Sequence, residues 1–556
     1  MANPSAIDRP LVHLQSLRRT IPPRWRLLLI ACIMIGITLR FANLDGKVYQ
    51  YDETFSSLRV SGYTEAQAVQ QLASAGVISP QDLQVYQEPQ SETSIADTVK
   101  GLAIEEAQLT PLYFVFARFW AEGFGSSAGA IRSLSAIASV LAFPAMFWLC
   151  WELFESRLAG WLGMTILAVS PFQLLYAQEA RPNSLWATTI LLSSAALLRS
   201  LRLQTVTSWG TYAVVMALNF YAYLFSVLVA IAHVCYVLVV ERLRWNARLK
   251  GFGVALSIAL LAFLPWMLVI FSTLQQIESA TTWTAQAHWL TLREHAKQWL
   301  FYLSASFVDP GDKPLGGLRY FFSAALWLVR LLVLYGFYLL CRRTPLRVWL
   351  FVLSLTWIPA LALLLPDLLL GGTRSAVPRY MVPFYLGCQL VITYLLSQKL
   401  RSTLSATPWR QWFWRGATAV ILTASLLSCG LIIQSNTWWN KMISNNNPAI
   451  AQLINQHDRP LVISDAGLGD LLSLSHYLDP KVNLLVRPHC YTDCQVDRAY
   501  RELETVPFLP PIPDGYSDVF LFRPRPKPIW VEQLQQANYS LEVLANRDDE
   551  WLWRVK

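Results

Sequence analysis

Charge is scarce in this chain. Asp, Glu, Lys and Arg make up 15% of its 556 residues, against about 25% in ordinary soluble proteins. Hydrophobic residues make up 54% and the mean hydropathy is +0.35, so a soluble globular chain is excluded and a multi-span membrane protein is indicated. Low-complexity segments and a convincing internal repeat are also missing, and paired repeats are common in transporters. The eight cysteines are scattered. Cys32, Cys150, Cys235, Cys341, Cys388 and Cys429 lie in or beside apolar runs, where cysteine is usually a small buried hydrophobe. Only Cys490 and Cys494 lie together in a polar region; an oxidising compartment would favour a disulfide there, and a Cys-x3-Cys spacing alone is a weak zinc signal. No small-x-small cleavage pattern follows the opening Arg18, Arg19, Arg24 and Arg26 and the apolar run 27–38. The start therefore reads as an uncleaved anchor, with Arg40 expected to snorkel to the outer interface.

Long apolar runs are what the chain has in abundance, and the loops between them can be given a side. The net charge of +9 is carried largely by short loops between these runs, where Lys and Arg set topology; it gives little reason to expect a nucleic-acid partner. Requiring about 20 mostly apolar residues per crossing, we place spans near 25–44, 131–154, 158–176, 183–198, a pair within 208–240 broken near 219–223, 251–274, 318–340, 346–365, 381–396 and 417–435. This makes eleven, with the N-terminus and the basic loops cytoplasmic. The stretch 112–123 is too short and carries Arg118 and Glu122, so it reads as an interfacial helix. The many Trp, Tyr and Phe suit the headgroup level at both ends of such helices.

Residues 1–435 thus read as a helical membrane domain, with a long acidic external loop at 45–130. Residues 436–556 read as a small extracytoplasmic α/β domain, with strands near 461–464, 482–486 and 519–522, helices near 468–477 and 528–537, and a terminal hairpin across 539–555. This domain has no nucleotide-binding glycine motif. The protein is expected in the inner or plasma membrane.

Four external elements could build one site: the loop of Asp52 and Glu53, that of Glu179 and Arg181, that of His288, and that of Arg379 and Tyr380. Ionisable groups at the membrane face of a bundle are costly unless they face a water-filled cavity. Asp52 stands close to a span end, beside Glu53 and among Tyr49, Tyr51 and Phe55. A carboxylate partly desolvated by rings can take the proton of a hydroxyl as that hydroxyl attacks a sugar carbon. A phosphate leaving group departs as a stable anion and needs only positive charge nearby, from Arg or a divalent metal. Arg330 falls near the middle of the eighth span and is expected to pair within the bundle. His233 is expected to be a satisfied core histidine.

These motifs carry a resemblance. Asp52-Glu53 after the first span, Thr110-Pro111-Leu112-Tyr113-Phe114 at the end of the first loop, Ala177-Gln178-Glu179-Ala180-Arg181-Pro182 after the third span and Pro378-Arg379-Tyr380 before the tenth resemble, in order and spacing, the protein O-mannosyltransferase and aminoarabinose transferase group of GT-C glycosyltransferases. The resemblance implies a polyprenyl-phosphate sugar donor, an extracytoplasmic acceptor, inversion at the anomeric carbon and Asp52 as the base, with Glu53 its catalytic neighbour. It also implies that Glu179 shapes the site or, with Asp52, helps hold a cation such as Mg²⁺ or Mn²⁺, and that Arg181 and Arg379 face the lipid phosphate, beside Tyr51 and Tyr380. Leu109-Thr110-Pro111 stands where this group often has His-Pro-Pro, so a role for that histidine is not carried over. The competing readings are a polymerase or ligase of lipid-linked glycans and, from another class, a transporter.

Overall fold

The computed structural model describes residues 23–285, 290–311, 315–402, 407–490, 509–524, 529–545 and 551–556. Helix α1 (Pro23–Phe41) leads by a short turn into α2 (Tyr51–Ser61), so the stretch read as loop is helical from Tyr51 onward. The Glu53 carboxylate accepts from the Gln50 N–H at the start of α2, which places Asp52 and Glu53 in its first turn, where the helix dipole favours carboxylates. The first loop continues through α3 (Glu65–Ser74), strand β1 (Val77–Ile78), α4 (Pro80–Gln84), α5 (Ile95–Glu105) and α6 (Leu112–Phe124). With 13 residues α6 is too short to cross. From it the buried Arg118 reaches the Val60 and Ser61 carbonyls at 2.9 and 3.1 Å, satisfying acceptors that the end of α2 leaves open.

The bundle comprises α7 (Ala128–Phe154), α8 (Arg157–Ala168), α9 (Pro171–Ala177), α10 (Asn183–Leu203), α11 (Val206–Ala222), α12 (Ser226–Val240), α13 (Ala247–Ser272), α14 (Leu274–Ala285), α15 (Leu292–Ala305), α16 (Leu318–Arg343), α17 (Leu346–Leu370), α18 (Val382–Ser402) and α19 (Pro408–Gln434). This is a multi-pass membrane protein. Among the described residues seven helices are long and apolar enough to cross: α7, α10, α13 and α16 to α19. The pair α8 and α9, bent by 58°, makes an eighth if it is one span. The other three segments expected to span are also helices, but α1 carries Arg24, Arg26 and Arg40 in its 19 residues, and α11 and α12 have only 17 and 15. The break between α11 and α12 falls at 223–225, at the C-terminal edge of the expected range 219–223. Helix α18 is central, with 94% of its apolar window buried in protein, whereas α13, at 22%, turns mostly outward.

Arg40 does not snorkel. Its side chain is fully buried and donates to the Leu167 and Ala168 carbonyls at 3.0 and 2.6 Å and to Ser139 Oγ at 2.8 Å. The bend after α8, where Pro171 opens α9, leaves the Ala168 carbonyl without a helical donor, and the Arg40 guanidinium supplies one. Gly36 lets α1 approach this bend: a Cβ there would lie 2.4 Å from the Ala168 carbonyl oxygen.

After α19, a short 3-10 segment (Trp439–Ser444) leads to α20 (Asn447–Asn455), β2 (Pro460–Ser464), α21 (Leu468–Ser475), β3 (Asn483–Val486), β4 (Asp518–Phe522), α22 (Ile529–Gln536) and the hairpin β5 (Leu541–Ala545) and β6 (Leu552–Val555). The sheet order is β1-β3-β2-β4-β6-β5, with β3, β2 and β4 parallel. Strand β1 comes from the first loop and pairs antiparallel with β3. One apolar core joins Phe55, Leu58, Leu72 and Ile78 to Leu471, Leu484 and Phe520. The first loop and the segment after α19 therefore fold against each other as one α/β unit. Cys490 is disulfide-bonded; Cys494 lies outside the described residues.

Candidate active site

The site lies where the first turn of α2 meets the bundle. Adjacent residues of a helix point about 100° apart, and the two acids of this turn consequently meet different surroundings.

Asp52 faces the open side. Its carboxylate pairs with Arg379, and the two side chains retain 18% and 21% exposure. Arg181 Nη1 donates to the Asp52 carbonyl at 3.1 Å and to Ser56 Oγ at 3.3 Å. Burial alone would raise the pKa of Asp52, but Arg379 and then Arg181 outweigh it and hold the carboxyl below its ordinary value.

Glu53 is sealed. Arg132, from the first turns of α7, donates Nε to its Oε1 at 2.7 Å and Nη2 to its Oε2 at 2.8 Å. Lys441 Nζ is 2.6 Å from Oε2, the Ala180 N–H 2.9 Å from Oε1, and the Gln50 N–H 3.1 Å from Oε2. Burial opposes ionisation here too, yet Arg132 and Lys441 hold this carboxyl far below the usual range. Arg132 also donates to the Leu44, Lys47 and Val48 carbonyls at 2.5, 3.0 and 2.9 Å. Glu53 and Arg132 thus tie together the turn before α2, α7 and the loop after α9.

Glu179, 1% exposed, accepts from Asn440 Nδ2 at 3.3 Å. Burial pushes its pKa up to about 7; Lys441 opposes the rise, while Glu53 and Asp52 add to it. Arg379 lies 5.7 Å from the centre of the Tyr380 ring. Tyr51 turns toward the C-terminal segment: its N–H bonds Ser444 Oγ at 2.9 Å, and its ring is among the atoms nearest a Cβ built on Gly469.

Three of the four expected elements therefore meet, and His288 lies outside the described residues. The linker after the last span supplies the fourth side. Besides Asn440, Lys441 and Ser444, its Asn436 carbonyl accepts from the Val48 N–H at 2.9 Å, and Trp438 and Trp439 donate to Asp309 Oδ2 at 2.9 and 2.7 Å. Arg132 and Lys441 were missed from sequence. The available signals were an arginine at the start of the second span and a lone lysine just beyond the last one. Arg330 stays within the bundle, donating to the Leu300 carbonyl at 3.0 Å beside Trp327. His233 is a buried core residue between Ser194 and Tyr212.

The metal expectation meets an unsuitable donor set. Among the described residues no group of three His, Cys, Asp or Glu side chains could hold a metal ion. Asp52 is engaged by Arg379 and Glu179 by Asn440, with Lys441 close enough to influence Glu179. These residues do not fit a protein-held divalent cation, and no step below runs through one.

Residues 108–269 match the family model described as dolichyl-phosphate-mannose-protein mannosyltransferase. No curated protein sequence matches the chain. Among solved structures, ArnT from Cupriavidus metallidurans bound to undecaprenyl phosphate aligns over 96% of this chain and 98% of its own, at 14% identity and a TM-score of 0.53. The chain thus shares the fold of this ArnT structure over nearly its whole length, and its segment 108–269 is similar to the mannosyltransferase family. The apo form of the same ArnT aligns at 13% identity and 0.53, covering 96% of this chain and 97% of that one. An oligosaccharyltransferase from Archaeoglobus fulgidus aligns at 12% identity and 0.47, covering 84% and 65%.

Proposed function

We propose that this protein is a GT-C glycosyltransferase that transfers a single sugar from a polyprenyl-phosphate donor to an extracytoplasmic hydroxyl acceptor, with inversion and with Asp52 as the base. The observation that carries the reading is the half-open ion pair of Asp52 and Arg379 at the N-terminus of α2, beside acids that are otherwise sealed. The name of ArnT bound to undecaprenyl phosphate and the description of the matched family support the same donor chemistry.

Without donor, Arg379 neutralises Asp52, a poor state for a base. A donor phosphate competes for Arg379, with Arg181 close by. As Arg379 turns to the phosphate, burial raises the proton affinity of Asp52. The acceptor oxygen then attacks the anomeric carbon, its proton passes to the Asp52 carboxylate, and the bond from anomeric carbon to phosphate oxygen breaks. Polyprenyl phosphate leaves as an anion stabilised by Arg379 and Arg181. Nucleotide sugars are made in the cytoplasm, so a site on the outer face would draw on a lipid-linked donor.

The test is transfer of radiolabelled sugar from a panel of polyprenyl-phosphate sugars into membrane acceptors by the purified full-length protein. Transfer from a monosaccharide donor is expected. Transfer only from lipid-linked oligosaccharides would move the assignment to a glycan polymerase or ligase.

A further inference from the structure

A helix break inside a membrane bundle exposes backbone groups that lipid cannot satisfy, so it persists only where it is buried in protein or lines a cavity. Tyr223, Leu224 and Phe225 form such a break between α11 and α12, Tyr223 in an extended conformation. The break is held by buried polar groups. Asn219 Oδ1 accepts from Thr189 Oγ1 at 2.8 Å and from Ser226 Oγ at 3.0 Å, and the Asn219 carbonyl accepts from Ser226 Oγ at 2.6 Å. All three side chains are at most 4% exposed. Leaving these buried oxygens unpaired is costly, so the knot favours one geometry of the turn; Asn219 Nδ2 has no protein partner.

The turn projects aromatic rings toward the acid. Trp186, wholly buried, stacks behind Tyr223 with ring centres 4.3 Å apart and planes 13° from parallel, while Tyr223 stays partly exposed. Phe225 meets Tyr380 edge-on at 4.9 Å, and Tyr380 adjoins Arg379, the partner of Asp52. Tyr223 is itself within electrostatic reach of Asp52, Arg181 and Arg379. Nearby on α10, both amide atoms of Asn183 and the indole N–H of Trp186 are buried without a protein partner.

We propose that Tyr223, fixed by the break and backed by Trp186, is the platform on which the donor's sugar ring stacks, with Phe225 and Tyr380 as the adjoining wall. The proposal rests on the transferase reading and deepens it. An occupant of this position must offer an apolar face to the rings and polar groups at its rim to Asp52, Arg181 and Asn183. A pyranose or furanose ring does both, through its C–H face and its hydroxyls. An isoprenoid chain offers nothing to the guanidinium groups, and a phosphate has no apolar face.

The experiment measures transfer kinetics of the full-length protein with a donor accepted by the wild type, comparing Tyr223→Phe and Tyr223→Leu, together with inhibition by polyprenyl phosphate that carries no sugar. Loss of a stacking contact worth about 0.5–1.5 kcal/mol weakens binding by up to about 10-fold. Tyr223→Leu is therefore expected to raise the KM for donor toward that limit, Tyr223→Phe to stay within about 2-fold of wild type, and inhibition by the sugar-free lipid to remain unchanged in both. A wild-type KM in Tyr223→Leu, or equal weakening of the sugar-free lipid, would overturn the stacking role and leave the transferase reading intact. A wild type that transfers no sugar from any polyprenyl-phosphate donor would overturn both.

Discussion

Lys441 Nζ lies 2.6 Å from Glu53 Oε2, and neither side chain is more than 3% exposed. This contact joins the linker after the last span to the first turn of α2, one residue from Asp52. Glu53 already has Arg132 as a counter-charge, so Lys441 fastens the linker beneath the site as well as adding charge. A base on the open side of a helix turn is positioned only as well as the closed side is held.

Glu53→Gln leaves Arg132 and Lys441 facing a neutral amide, and Lys441→Met leaves Glu53 with one cation. Removing one partner of a buried ion pair costs about 3–5 kcal/mol. Each variant is expected to lose stability on that scale, with Glu53→Gln the worse because it strands two cations. Thermal unfolding of the detergent-solubilised protein measures this, and wild-type melting in either variant would refute the structural role.

Glu179 introduces a pH dependence with a definite sign. Burial raises its carboxyl from 4.5 to about 7 in the folded protein. Between those values the folded state binds more protons than the unfolded state, so its contribution to stability falls as pH rises through the window. The total is about 3 kcal/mol. Glu179→Gln is expected to gain stability relative to wild type from pH 4.5 to pH 7, as read from melting temperatures across that range. An unchanged difference between the two proteins would contradict the burial argument.

Arg40 tests the bend of α8 and α9. Arg40→Met keeps the bulk of the side chain and removes every donor to the Leu167 and Ala168 carbonyls that Arg40 supplies. The Leu167 carbonyl keeps the Ser170 N–H at 3.3 Å, and the Ala168 carbonyl, left open, costs about 1–3 kcal/mol. Lower thermal stability is expected, with transfer activity per folded molecule close to wild type. A large activity loss in well-folded protein would give Arg40 a role beyond holding the bend.

Gly469 tests the seam between the C-terminal segment and the site. A Cβ there would come within 2.7 Å of both the Tyr51 and the Phe55 ring, so Gly469→Ala must displace α21 or turn Tyr51, the neighbour of Asp52. A drop of about 10-fold in kcat/KM is expected, on the scale of 1–2 kcal/mol for an overpacked contact. Unchanged kinetics would show that the seam yields without disturbing α2.

Much of this was legible in the sequence because it depends on local pattern. Apolar run lengths marked the bundle helices, the basic flanks of 208–240 required a break, expected near 219–223 and found at Tyr223 to Phe225, and short apolar runs marked β2, β3 and β4. What was not legible depends on which way neighbouring side chains point. Asp52 and Glu53 look equivalent in the chain, yet one turn of helix sends the first to Arg379 and buries the second against Arg132 and Lys441. Arg40 at a span end looks like an interfacial anchor. Only the bend of a helix some 128 positions along the chain makes it an interior cap. Strand β1 has two residues, too few for alternation to register, and its partner β3 lies near the other end of the chain.

The most direct test of the account is sugar transfer by Asp52→Asn compared with wild type at equal folded protein. The substitution keeps the shape of the side chain and removes its ability to accept a proton, and the loss of a general base is worth about 10²- to 10⁴-fold. The account predicts a fall in kcat on that scale among folded molecules, with a modest drop in melting temperature from loss of the Asp52–Arg379 pair. Transfer by Asp52→Asn at the wild-type rate would contradict it and place the base elsewhere.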